Sequence, residues 1–101
     1  MNDILYVTVP CYNEEEVLPE TSKRLKVKIE SLIEKGMINS QSRIVFIDDG
    51  SKDKTWQLIS ELCNSDEIFS GIKLAHNRGH QNALLAGLMT VKDKCDAAIS
   101  L

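Results

Sequence analysis

The chain has 101 residues, 43% of them hydrophobic, and a formal net charge of −3. That length suits one small domain or a piece of a larger one, and the apolar content argues against disorder. Acids and bases are interspersed with no basic run, which argues against a nucleic-acid surface, and no apolar stretch approaches the ~20 residues of a spanning helix.

Met1 is followed by Asn2 and Asp3 rather than by a positive segment, so no signal peptide is expected. The apolar run ILYVTV (4–9) then reads as a first strand. It runs into VPCYNEEE, where Pro10 stiffens the exit and three glutamates precede a helical pattern. Leu18, Leu25, Ile29 and Leu32 recur at threes and fours, with Lys and Glu on the other face. Pro19 is tolerated in the first turn, and Gly36 is the expected stop.

RIVFI (43–47) is the second predicted strand, and it ends in DDGSKDKT. Asp53 is the expected N-cap of a second helix presenting Trp56, Ile59, Leu62 and Cys63 to one side. GIKLA (71–75) predicts a third strand, ending in HNRGHQN. A third helix is expected from about Gly79 to Val91, with Leu84, Gly87, Leu88 and Val91 on one face. AAISL (97–101) is the fourth strand.

The order β-α-β-α-β-α-β, with apolar strands, implies an α/β fold: a mostly parallel sheet, helices on both faces, and right-handed crossovers. The last strand would form an edge able to support self-association. The three cysteines are odd in number and far apart, which fits reduced thiols in a cytosolic protein.

Open α/β sheets bind ligands beyond the carboxyl ends of their strands. That rule gathers VPCYNEEE, DDGSKDKT and HNRGHQN at one place. Neighbouring residues on a strand point to opposite faces, so Asp48 and Asp49 are expected to differ in role. One serves the Gly50–Ser51 turn and the other faces the crevice. Tyr12 offers a flat face and a hydroxyl, Asn13 a cap, and Glu14 an acceptor. Gly79 permits close backbone approach, while Arg78 and His80 suit phosphate. His76 and His80 lack a third ligand at metal spacing. A phosphoacceptor receiver domain would need its acidic pair after the first strand and an Asp after the third. Pro10–Cys11 and Ala75–His76 stand there instead.

Taken together, VPCYNEEEVL, IVFIDDGSKDKTW and HNRGHQNALLAGL resemble the N-terminal half of family-2 glycosyltransferases. The likeness is greatest to the dolichyl-phosphate mannosyltransferase-like and bacterial polyprenyl-phosphate branch. It implies a Rossmann-like GT-A fold and an inverting enzyme that uses a UDP- or GDP-sugar. The acceptor would be a polyprenyl phosphate or a cell-envelope glycan. It further implies that Asp48 and Asp49 bind nucleotide, with Asp49 accepting a base N–H. Pro10, Tyr12, Asn13 and Glu14 would line the base and ribose side, with Ser51 supporting the Asp turn. Asn77, Arg78, Gly79, His80 and Gln81 would lie toward ribose or diphosphate. Family members follow the fourth strand with an Asp-x-Asp motif that binds Mg²⁺ or Mn²⁺, which falls just beyond Leu101. Residues 1–101 are therefore expected to be the nucleotide-sugar-binding portion. Alone they would bind nucleotide at most, hold no metal, and not transfer sugar. The parent enzyme would sit at the cytoplasmic face of the membrane. The rival reading is a non-catalytic nucleotide-binding or assembly module.

Overall fold

The computed structural model describes residues 3–75 and 79–101, without the side chains of His80 and Gln81. In chain order the elements are β1 (Leu5–Cys11), α1 (Leu18–Glu34), β2 (Arg43–Asp48), α2 (Thr55–Ser65), β3 (Phe69–Lys73), α3 (His80–Val91) and β4 (Ala97–Ser100). The strands form one parallel sheet in the order β3-β2-β1-β4. The expected α/β architecture is thus what the chain adopts.

Alternation along the strands divides the interior into two layers. Val7, Val9 and Cys11 of β1, with Ile44 and Phe46 of β2, form one face with Phe69 of β3. Leu18 and Ile29 of α1 and Ile59 of α2 close over it. On the other face, Ala83, Gly87 and Val91 are buried among the described residues of α3. A Cβ added at Gly87 would lie 2.6 Å from Ile47 Cδ1 and 3.5 Å from Thr8 Cβ, so the missing side chain lets α3 lie close to the sheet.

Two crossovers run outward from β1 to β3, and the third returns to β1's other side. Helices α1 and α2 therefore cover one face and α3 the other. The reversal sits at β1, so the crevice of the fold opens at the carboxyl end of that strand. Pro10 lies inside β1 without cost. Thr8 and Pro10 turn their backbone groups toward β4, whose register stops at Ser100 opposite Thr8, so no ladder bond is missing at Pro10.

Several sequence expectations shift. Strand β3 runs 69–73, not 71–75, because Ile68 and Phe69 are the buried residues there, beside Ile44. In α1, Ile33 joins Leu25 against the core where Leu32 was expected. In α3, Ala83 is fully buried while Leu88 is exposed, since the close approach at Gly87 favours small residues. Gly36 does end α1: it has φ 73°, its N–H donates to Ile33 O, and the Met37 N–H donates to Leu32 O. At the far end of the sheet, Lys26 and Asp66 pair. Hydrogen bonding to Lys26 lowers the Asp66 pKa, and that to Asp66 raises the Lys26 pKa. All four residues of β4 are exposed.

A second close approach, at Gly71 on β3, gives a packing test. A Cβ there would lie 2.6 Å from Ile59 Cγ2, a branch methyl of a fully buried side chain, and 3.2 Å from Trp56 Cζ3. Gly71→Ala is expected to cost about 1–3 kcal/mol through overpacking. Each kcal/mol lowers the melting temperature of a domain this size by roughly 4–8 °C. An unchanged melting curve by circular dichroism would show that α2 does not press on β3 as described.

Candidate functional site: a cleft at the carboxyl end of β1

Beyond Cys11 the chain turns through Tyr12 and Asn13, and Asn13 takes a left-handed backbone with φ 51°. Asparagine tolerates that conformation better than most residues. The amides of Asn13, Glu14 and Glu15 are all taken by side chains of the β2–α2 loop and the first residue of α2. Asn13 N–H donates to Ser51 Oγ at 2.9 Å, Glu14 N–H to Thr55 Oγ1 at 2.8 Å, and Glu15 N–H to Asp53 Oδ2 at 3.2 Å. The Lys52 N–H returns a bond of 2.8 Å to Asn13 Oδ1. A backbone bond of 2.9 Å from Asp49 N–H to Cys11 O joins the two strand ends.

Asp53 is the centre of this tie rather than a plain helix cap. Helix α2 begins at Thr55, one position later than a cap at Asp53 implies. Asp53 Oδ1 nevertheless accepts the Thr55 N–H at 2.9 Å and the Thr55 hydroxyl at 2.5 Å. Burial pushes the Asp53 carboxyl up, but the hydrogen bonds from Thr55 and the Glu15 amide outweigh it and hold its pKa below the ordinary value.

The adjacent aspartates separate as alternation requires. Asp48 is fully buried, with Oδ1 accepting the Ser51 N–H at 3.2 Å. Its Oδ2 is buried with no hydrogen-bond partner among the described residues. Asp49 lines the cleft, and its Oδ2 accepts the Gly79 N–H at 3.1 Å, bringing the start of α3 to the site. Pro10, Tyr12 and Glu14 supply the β1 side of this cleft, with Cys11 at its floor. Gly79 and Ala83 supply the α3 side of this open cleft, whose volume is about 290 Å³. Tyr12 is 42% exposed, so one flat aromatic face is accessible beside two carboxylates.

Cys11 pairs in register with Asp48 and is nearly inaccessible. Burial first, then the charge of Glu14, a hydrogen bond to it, and the charge of Asp48 push its thiol up to about 12. A neutral thiol therefore sits among the acids.

Of the residues expected at the site, Pro10, Tyr12, Glu14, Asp49 and Gly79 come together in the cleft. Asn13 and Ser51 bond to each other's loops, and Asp48 lies beneath the turn. Asn77 and Arg78 lie outside the described residues, and of His80 and Gln81 only the backbone, in the first turn of α3, is described. Sequence reasoning missed Cys11 and Ala83 as lining residues and Thr55 as a tie. Cys11 continues the alternation of Val7 and Val9, and Ala83 lies one helical turn after Gly79. Among the described residues no group of three or more His, Cys, Asp or Glu could hold a metal ion, so these side chains do not make a metal site.

The sequence profile described as Glycosyl transferase family 2 matches residues 6–97, and the chain belongs to that family. It is 49% identical over 98 residues to a protein named uncharacterized glycosyltransferase YkoT from Bacillus subtilis (strain 168), covering 97% of this chain and 29% of that one. It is 38% identical over 82 residues to the prophage bactoprenol glucosyl transferase homolog of Escherichia coli (strain K12), covering 81% and 25%. It is 33% identical over 96 residues to the undecaprenyl-phosphate 4-deoxy-4-formamido-L-arabinose transferase of Pseudomonas fluorescens (strain Pf0-1), covering 94% and 26%. The chain thus spans between a quarter and a third of the length of these relatives. Among solved structures, the mannosyltransferase PcManGT from Pyrobaculum calidifontis, in complex with GDP-Man and Mn²⁺, superposes with a TM-score of 0.66 at 21% identity, covering 89% of this chain and 25% of that one. The fold is that of the GT-A glycosyltransferases. No described helix is long and apolar enough to cross a membrane.

The thiol gives a direct check on the cleft floor. Below about pH 9 Cys11 is a thiol whether folded or unfolded. Between 9.0 and about 12 only the unfolded chain ionises it, so this group's contribution to stability is lost as pH rises through that window. Native chain at pH 8 is expected to withhold Cys11 from a thiol reagent and to release it in guanidinium. Labelling of Cys11 as fast as the half-buried Cys95 would contradict its place at the cleft floor.

Proposed function

We propose that residues 1–101 are the nucleotide-sugar-binding portion of an inverting glycosyltransferase that uses a UDP- or GDP-sugar. The observation that carries this reading is the cleft itself. An accessible aromatic ring, Tyr12, stands beside the Asp49 carboxylate at the switch point of the sheet. A flat ring suits a base face, and a carboxylate suits a base N–H donor. Glu14, on the same side, is an acceptor for ribose hydroxyls. Asp48 acts beneath them by holding the Gly50–Ser51 turn.

The described side chains at this cleft carry the wrong sign for phosphate. A diphosphate of charge about −2 would meet Glu14 and Asp49 at short range, which is unfavourable unless a cation bridges them. In the intact enzyme we place that role with Mg²⁺ or Mn²⁺ held by an Asp-x-Asp motif after β4. Such a metal neutralises charge on the leaving diphosphate. What residues 1–101 do is bind and orient the nucleoside end. The acceptor is a polyprenyl phosphate or a cell-envelope glycan, and the enzyme acts at the cytoplasmic face of the membrane. The names of the bactoprenol and undecaprenyl-phosphate relatives support that choice. By this reading the chain alone binds nucleotide and does not transfer sugar.

Calorimetric titration with UDP and GDP, each with and without Mn²⁺, tests the reading. Saturable binding to the chain is expected for one nucleotide, weakened at least ten-fold by Asp49→Ala, as for a lost charge-assisted hydrogen bond of roughly 1.5–3 kcal/mol. Binding that ignores Asp49→Ala, or sugar transfer by residues 1–101 alone, would overturn it.

A further inference from the structure

Of the polar side chains around the cleft, Thr55 is set apart by joining both loops from a buried position. It is fully inaccessible and does not line the cleft, yet its hydroxyl is the middle link between the two loops that do. It accepts the Glu14 N–H at 2.8 Å and donates to Asp53 Oδ1 at 2.5 Å. The second oxygen of that Asp53 carboxylate accepts the Glu15 N–H. One hydroxyl thus holds one amide directly and aims the carboxylate that holds the next.

The loop it holds has few other anchors. Glu14 O accepts the Val17 and Leu18 amides as α1 begins, but the Asn13, Glu14 and Glu15 amides find their acceptors across the gap, on residues 51, 55 and 53. The Asp49–Cys11 backbone bond fixes the strand ends only. Beyond it, the spacing between Asp49 and the Tyr12–Glu14 segment depends on these side-chain bonds. A site that must match a flat base and its N–H edge tolerates little error in that spacing.

We infer that Thr55 is a positioning residue for the nucleotide site: by holding the Glu14 amide and orienting Asp53, it sets the distance between the Tyr12–Glu14 loop and Asp49. This rests on the nucleotide reading above. Removing the hydroxyl leaves the Glu14 N–H without its acceptor and takes from the Asp53 carboxylate one of its three donors, so the loop must shift toward water. The methyl group of threonine fills the buried start of α2, so valine changes the hydrogen bonding while keeping the shape.

The test compares Thr55→Val with Thr55→Ser in the ¹⁵N-labelled chain. Amide hydrogen exchange is read without ligand, and UDP and GDP affinity is read separately. Thr55→Val is expected to speed exchange at Glu14 and Glu15 at least ten-fold, with the β2 amides unchanged, and to weaken nucleotide binding about five- to ten-fold. Thr55→Ser keeps the hydroxyl and is expected to restore both. Faster exchange with unchanged affinity makes Thr55 structural only and overturns the inference. Unchanged exchange overturns it as well. If the unmodified chain binds neither nucleotide, the reading of the cleft fails, and the exchange rates still judge the tie. If Thr55→Val does not fold, the unmodified chain still judges the tie: Glu14 and Glu15 amides that exchange as fast as unbonded loop amides overturn the inference.

Discussion

Parallel strands deliver their following loops to one end of a sheet, but they do not fix how those loops stand to one another. Here that is done by three consecutive amides, of Asn13, Glu14 and Glu15, each bonded to a different side chain of the neighbouring loop. The residues on either side of the tie are the ones the cleft uses, Tyr12 and Glu14 on one loop and Asp49 on the other. The depressed Asp53 pKa has the same origin, since its carboxylate accepts several of these bonds.

The tie also decides what kind of chemistry the cleft can recognise. Free amides at a helix start would favour an anion. At α1 the amides just ahead of the helix are already occupied, and the Gly79 amide at the start of α3 is turned to Asp49. What faces the cleft from the described residues is an aromatic ring, two carboxylates and a protonated thiol at the floor. That set accepts N–H and O–H donors, which the nucleoside end of a nucleotide sugar offers and its diphosphate does not.

Much of this was legible in the residues. Short β-branched runs separated by helical spacing imply the parallel sheet, and alternation along a strand by itself separates Asp48 from Asp49. The misses have physical causes. Leu88 fits the helical stripe, yet α3 approaches so closely at Gly87 that alanine takes the buried position and leucine is left outside. β3 starts earlier than its apolar run because Ile68 O accepts the Ile44 N–H, a pairing no local pattern reveals. For Asn13 and Ser51 the family resemblance implies a place on the ribose side and a support for the Asp turn, and the structure adds a tie between the loops. Their bonds to each other's loops are a tertiary matter, set by how two segments 38 residues apart happen to face. Thr55, between a cap and a helix, carried no sequence signal for its role.

The central claim is that the cleft at the carboxyl end of β1, closed by Asp49 and Gly79, is the nucleoside site. Titrating the ¹⁵N-labelled chain with UDP and with GDP, and following amide chemical shifts, addresses it most directly. The account predicts saturating shifts at Tyr12, Glu14, Asp49 and Gly79, with Ser40, Arg43 and Glu67 at the opposite end of the sheet unmoved. Shifts confined to that opposite end, or to the groove between α1 and α2, would contradict it.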